Sequence, residues 1–270
     1  MATIFASDFH GTGDAFINKV QTMMNRYPSA EIVLGGDYID GRADVKQVLN
    51  YVRQLQHSKH HVTVLKGNHE DLLLEFLRND DESRINYNNW KMNGGNKTFK
   101  ALTGRRVGHC YAQKKLRNYQ LYDGTFLYHW LMSLPTTYVN QDGAFVHAYL
   151  DVEHYSDIQQ AIEHTTDEKR LWERKAVDML MHNKTDRALV VGHTPTCYFA
   201  KNCLHHNEPV IKPYESLIIR WQDEMCPIIE YHYPNESSII ACDGGCHGGA
   251  PNNTGNVLVI DQGKVIDWLN

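Results

Sequence analysis

At 270 residues, 42% hydrophobic and 22% charged, the chain can bury a sizeable core. A net charge of -5, with no evident stripe of basic and aromatic residues, argues against nucleic acid or an anionic membrane as partner. No apolar run approaches the roughly 20 residues that span a bilayer, and no basic-then-apolar leader follows Met1, so a cytoplasmic protein with mostly reduced cysteines is expected.

Taken in order, Thr3–Ser7 reads as a first strand and runs into Asp8-Phe9-His10-Gly11. Phe16, Ile17, Val20, Met23 and Met24 then share one helical face. A strand at Glu31–Leu34 meets Gly35-Gly36-Asp37-Tyr38-Ile39-Asp40, and Val45, Val48, Leu49, Val52 and Leu55 mark the next helix. A third strand, His61–Leu65, leads to Gly67-Asn68-His69-Glu70, with helix again over Leu72–Leu77. This alternation predicts a parallel sheet flanked by helices.

Beyond a charged loop at Asn79–Arg84, residues 90–134 are helix-rich and broken by glycines, which predicts a helical cover over one edge of a site. Thr136–Asn140 and Gly143–His147 read as a hairpin around Gln141-Asp142, followed by helical sequence over Asp157–His182. A buried strand at Ala188–Val191 ends in Gly192-His193-Thr194-Pro195. Strands are expected at Leu217–Trp221, Ile228–Tyr233, Ser238–Ala241, Val257–Ile260 and Val265–Trp268. No linker or repeat divides the chain, so residues 1–270 are expected to form one α/β domain of two facing sheets with helices outside.

Five strand ends present metal-binding residue types: Asp8 with His10, Asp37, Asn68 with His69, His147, and His193. Asp8 and His10 are two apart, so in an extended segment both face the same way. Carboxylate, imidazole and amide oxygen without thiolate suit manganese, iron or zinc. Any one of these residues alone is an ordinary turn residue; it is the recurrence at five strand ends that signals a site. Five cysteines between Cys197 and Cys246, with His205 and His206 among them, lack tight C-x-x-C spacing and read as thiols. His57, His60, His61, His109, His154, His164 and His182 sit in polar surroundings and are expected at the surface.

In this order, Ser7-Asp8-Phe9-His10-Gly11, Gly36-Asp37-Tyr38-Ile39-Asp40, Gly67-Asn68-His69-Glu70, Val146-His147-Ala148 and Gly192-His193-Thr194-Pro195 resemble the motifs of the calcineurin-like metallophosphoesterases. Trp90-Lys91-Met92-Asn93-Gly94-Gly95 with Thr98, and Leu171-Trp172-Glu173-Arg174, are closer still to the bacterial and phage branch of the PPP-type serine/threonine protein phosphatases. The resemblance implies a four-layer α-β-β-α sandwich, a pair of divalent ions, manganese above iron or zinc, and a phosphoprotein or phosphorylated small molecule as substrate. It places Asp8 and His10 on the first ion, Asp37 between the two, and Asn68, His147 and His193 on the second. The ions would sit about 3.5–4 Å apart and present a bridging hydroxide to phosphorus. His69 would be the general acid, Asp40 its orienting carboxylate, and Arg174 a phosphate clamp.

The chain departs from the family pattern in two places. Asp40-Gly41-Arg42 stands where the family runs Asp-Arg-Gly, displacing by one residue an arginine expected to touch phosphate. Asp243-Gly244-Gly245-Cys246-His247-Gly248-Gly249 resembles the closing Asp-Thr-Gly segment with glycine for threonine, and His247 is read as a loop residue near the site. Rival readings are a dinucleoside polyphosphate (diadenosine tetraphosphate) hydrolase with the same metal centre, a nucleic-acid phosphodiesterase, and a regulatory module that has lost catalysis. Asp40 and Glu70 favour the phosphatase over the first, and the complete ligand set disfavours the last.

Overall fold

The computed structural model describes residues 2–78, 84–106, 108–178, 181–197, 204–205, 208–209, 216–220, 226–247 and 253–270. The charged run 79–83, Cys203, His206, Trp221 and the glycine pair 248–249 lie outside the described residues. Strand β1 (Thr3–Ala6) runs parallel to β2 (Glu31–Leu34), and β2 to β3 (Val62–Val64). On the other side β1 pairs antiparallel with β12 (Val257–Asp261), and β12 with β13 (Lys264–Leu269). The second sheet begins with the hairpin β4 (Thr137–Asn140) and β5 (Gly143–Val146) and continues through β6 (Leu189–Val191) to β11 (Ile239–Ala241). It ends with β10 (Ile228–His232) and β9 (Ser216–Arg220), while β7 (Leu204–His205) and β8 (Glu208–Pro209) form a separate two-stranded ribbon.

Strand alternation builds three apolar layers. Phe5, Val33, Phe145, Val190, Ile240 and Leu258 point inward and fill the space between the sheets. Their neighbours Ile4, Ala6, Ile32 and Leu34 face outward against α1 (Asp14–Arg26), α2 (Val45–Gln56) and α3 (Asn68–Arg78). On the other sheet Ala144, Val146, Leu189, Val191, Ile239 and Ala241 face outward to residues of α8 (Ile158–His164) and α10 (Lys175–Asp178). The result is the expected mixed α/β sandwich of four layers. Among the described residues, no helix is long and apolar enough to cross a membrane.

The cover differs in detail from its expected bounds. It starts at α4 (Ile85–Trp90), passes through a π-helical turn at Lys91–Gly95, and continues as α5 (Asn96–Thr103), α6 (His109–Arg117) and α7 (Leu127–Ser133). Trp90, Phe99, Leu116 and Trp130 join the apolar layer over the first sheet. Gly94 has φ +99°, and a Cβ there would stand 2.6 Å from the Gly41 nitrogen, so only glycine lets this turn press on the site loop.

The expected helix over Asp157–His182 is instead broken into α8, α9 (Asp167–Trp172) and α10. Asp157 and Thr166 cap the second and third backbone amides that follow them, Gln159 and Lys169, and so start new helices. Thr165 and Glu173 are extended between them, which releases Arg174 from any helix. His57, His61, His154 and His164 are exposed as expected, His60 is partly buried, and the His109 side chain lies outside what is described. His182 is a correction: it is half-buried, stacked on Tyr233 at 3.6 Å and paired with Glu236.

Candidate metal centre

The carboxyl ends of β1, β2, β5 and β6 deliver their loops to one edge, where ligand sites of open α/β sheets lie. Asp8 and His10 follow β1, but the segment is not extended as the spacing suggested. Their φ angles are +61° and +46°, so the backbone turns left-handed at both. The Asp8 and His10 amides donate to the carbonyls of Gly36 and Asp37, at 3.1 and 2.9 Å, extending the β1–β2 pairing beyond the strands. Asp8, His10 and Asp37 thereby offer ligand atoms within 4.8 Å of one another, all buried. Asp37, Asp40 and His193 also have positive φ. Each such conformation costs ~1–3 kcal/mol, a strain characteristic of functional sites.

A second group forms where α3 begins. Asn68 and His69 are the first residues of that helix and do not terminate β3. His147 Nδ1 lies 2.9 Å from the Gly35 carbonyl and His193 Nε2 lies 3.1 Å from the Trp172 carbonyl. A carbonyl can only accept, so those nitrogens carry the protons and the opposite nitrogens carry lone pairs. Both lone pairs then face Asn68 Oδ1 as the amide is oriented, at 2.8 Å from His147 and 3.0 Å from His193. His147 Nε2 also lies 3.5 Å from Asp37 Oδ2. Three electron-pair donors aimed at one another suit a cation among them. His10 is held the same way, Nδ1 to the Ile39 carbonyl at 3.0 Å and Nε2 at 3.5 Å from Asp37 Oδ2.

The carboxylates lead to the same conclusion. Burial, with Asp243 and Asp37 adding to it, pushes Asp8 well above the usual carboxylate range. Burial raises Asp37 to about 8 despite the opposing His69, and raises Asp243 to about 6. These groups cannot all be ionised side by side without compensating positive charge. Asp8 Oδ1 is buried with no hydrogen-bond partner. Burial, then neighbouring imidazoles, holds His10 and His193 well below the ordinary histidine value, keeping both neutral and able to ligate. The residues present therefore fit divalent ions. No cysteine belongs to either candidate metal group among the described residues, and Cys226, Cys242 and Cys246 are buried thiols.

Asp37, Asn68, His69, Arg174, His193 and Asp243 line a cleft of about 560 Å³. His69 Nδ1 lies 2.9 Å from Asp40 Oδ2, leaving Nε2 toward the cleft at 4.0 Å from Asp37. Burial alone would lower the His69 pKa, but Asp37 and then Asp40 outweigh it and push it up to about 9. Cations on Asp37 would remove its share and leave Asp40 to hold the proton. Asp40 is fully buried and fixed by Thr98 of α5, whose hydroxyl donates to Oδ1 at 2.5 Å and accepts the Asp40 amide at 2.8 Å.

Arg174 reaches only long contacts, 3.4 Å to the His193 carbonyl and 3.5 Å to Thr194 Oγ1, with its guanidinium at the cleft. Arg42 differs from expectation. Its guanidinium donates to the carbonyls of Cys246 at 3.2 Å and Asn253 at 2.8 Å, and it does not line the cleft. Gly41 turns with φ +77° and sends the next side chain toward the C-terminal loop.

Two contributors were not assigned from sequence. The buried Glu70 carboxylate accepts the amides of Asp37, Tyr38 and Gly67 at 2.7, 2.9 and 2.9 Å, clamping the β2 and β3 loops together. Asp243 follows β11 and sits 3% exposed in the cleft; its signal was the apolar strand running into Asp-Gly-Gly. His247 is the loop residue expected near the site: its ring centroid lies 4.8 Å from that of His10 and 4.6 Å from that of His69, and its Nε2 donates to the Asn93 carbonyl at 3.0 Å.

Comparison with known proteins agrees with this geometry. The calcineurin-like phosphoesterase family matches residues 1–215. No curated protein sequence matches the chain. Among solved structures, a candidate diadenosine tetraphosphatase superposes with a TM-score of 0.50 at 14% identity, over 99% of this chain and 92% of its own. A protein serine/threonine phosphatase from Saccharomyces cerevisiae gives 0.49 at 13% identity, over 99% and 79%. A cold-active protein-tyrosine phosphatase of the psychrophile Shewanella gives 0.46 at 15%, over 98% and 76%. The match across most of the chain, together with an edge of the sandwich crowded with histidine and carboxylate donors, shows that the chain belongs to the calcineurin-like phosphoesterase family.

Proposed function

We propose that the protein is a phosphomonoester hydrolase that uses two divalent ions, manganese ahead of iron or zinc, and removes phosphate from phosphoserine or phosphothreonine. Asp8, His10 and Asp37 would hold one ion, and Asp37, Asn68, His147 and His193 the other. When bound, such a pair lowers the pKa of an attacking water and offsets phosphoryl charge. Arg174 donates to the phosphoryl oxygens from the cleft wall. Asp40 keeps Nδ1 of His69 protonated, so Nε2 can hand a proton to the departing oxygen.

The buried Thr98–Asp40–His69 chain is the observation that carries this reading. Serine and threonine alkoxides are poor leaving groups and need that proton. A phosphoanhydride releases a nucleotide phosphate that is already a stable anion, and has little use for the acid. The test is turnover of metal-depleted protein, resupplied with manganese, on a phosphothreonine peptide and on diadenosine tetraphosphate. Faster peptide hydrolysis supports the proposal. Faster nucleotide hydrolysis moves the substrate to the anhydride, and no activity on either leaves a binding module.

A further inference from the structure

Residues 84–122 hold Arg84, Lys91, Lys97, Lys100, Arg105, Arg106, Lys114, Lys115 and Arg117, and no Asp or Glu. The rest of the chain is left with 18 Lys and Arg against 32 Asp and Glu, a net -14. The net charge of -5 thus conceals a segment of +9 inside an acidic protein. All nine side chains are exposed, and among the described residues none lies within ion-pairing distance of a carboxylate. Elsewhere the fold pairs its cations, as in Arg26–Asp267, Arg170–Asp167 and Arg220–Glu230. Asp123, the next acid after the segment, is taken by Arg53 and His57.

The segment also concentrates its charge. Arg105 and Lys115 both sit over the Tyr111 ring, 5.7 and 5.6 Å from its centroid, and Arg105 donates to the Tyr111 hydroxyl at 2.8 Å. Two cations on one half-exposed ring repel each other, an arrangement that an arriving anion relieves. The other end reaches the cleft. The Asn93 carbonyl accepts from His247, which lines the cleft, and the Lys97 ammonium donates to the Gly41 carbonyl beside Asp40. Lys97 thus brings one of the nine cations beside the cleft. Another groove, beside Trp172, is lined instead by Asp71 and Glu75.

We infer that the basic face of the cover binds an acidic polypeptide segment, rich in Asp, Glu or further phosphate, that flanks the phosphorylated residue of the substrate. This rests on the phosphoserine/phosphothreonine reading above and names the substrate class within it. A short acidic segment matches the patch. A long nucleic acid would run past it onto a surface carrying net negative charge and be repelled there. This basic surface was not evident as a stripe of basic and aromatic residues in the sequence. It is built by α4 to α6 and concentrated around Tyr111, where the overall charge hides it.

The experiment compares phosphothreonine peptides of one core sequence carrying an acidic, neutral or basic flank, at low and high salt. The enzyme is the manganese-loaded full chain and its Arg105→Glu/Lys115→Glu double variant. The acidic peptide should exceed the neutral one in kcat/KM by about tenfold at low salt, the advantage fading near 0.5 M as screening shortens to a few ångströms, roughly 4 Å. The double variant should lose most of that advantage and retain p-nitrophenyl phosphate turnover within about twofold, as expected for exposed substitutions away from the cleft. Equal kcat/KM for all flanks, or an unchanged advantage in the double variant, overturns the inference. Tighter binding of a single-stranded oligonucleotide than of the acidic peptide, lost in the double variant, overturns it in favour of nucleic acid. Hydrolysis of diadenosine tetraphosphate with no phosphopeptide cleaved at all overturns instead the phosphatase reading beneath it.

Discussion

His69 is asked to keep a proton while surrounded by atoms suited to cations, and the geometry that allows this is local. Asp40 is completely buried and spends one oxygen on Thr98, leaving the other for the imidazole. Replacing His69 with Asn should leave ion binding intact and lower turnover by about 10²–10⁴-fold for alkyl phosphomonoesters, with a smaller loss on activated aryl phosphates. A leaving-group series measures this, and a uniform loss across it removes His69 from the acid role. Arg42→Ala separates two roles for that arginine. If its guanidinium serves as the tie to Cys246 and Asn253, the variant loses about 1.5–3 kcal/mol of stability while KM for a phosphomonoester holds. A several-fold rise in KM at unchanged stability would restore the phosphate contact. Asp8, Asp37, His147 and His193 stood out as candidate ligands because each closely follows an apolar strand, whereas Asn68 and His69 open a helix. The destination of Arg42 was not, because it depends on the sign of φ at Gly41, which residue spacing does not reveal.

At the scale of elements, the strands were legible because period-two alternation feeds three apolar layers, with Phe5, Val33 and Phe145 between the sheets, Ile4 and Ile32 outside the first sheet and Val146 outside the second. Phe145→Ala should cost about 3–5 kcal/mol by opening a cavity between the sheets, read as a fall in the urea midpoint. A shift under about 1 kcal/mol, the scale of a volume-conserving swap, would mean the layer is not packed as described. The helices from Ile158 to Asp178 were less legible. Their apolar spacing is continuous enough for one helix, but the capping Thr166 competes locally with continuation, and the break is what frees Arg174. Glu70 was legible as a motif residue and not as a clamp, since the four amides it accepts, those of Asp37, Tyr38, Ile39 and Gly67, come from two loops distant from each other in sequence.

For the molecule as a whole, the buried acids predict how stability responds to pH. Without metal, Asp37 is raised from its ordinary 3.8 to about 8 and His69 from 6.5 to about 9, so the folded chain binds protons more tightly than the unfolded one. Stability from these groups is present at lower pH and is lost as pH rises through their folded values. His10 and His193 are lowered from 6.5 and change charge below that pH. Between about pH 6.5 and 8 the metal-free protein should therefore lose Tm as pH rises, and manganese should cancel or reverse the slope by replacing the protons. A flat metal-free profile would contradict the picture of crowded carboxylates.

The most direct test of the central claim is a titration of metal-depleted protein with manganese, following phosphothreonine-peptide hydrolysis and bound metal together. A two-metal hydrolase should show negligible turnover without metal and a rise that saturates at two ions per chain. Full turnover in the depleted protein, or two ions bound with no hydrolysis, would contradict that claim.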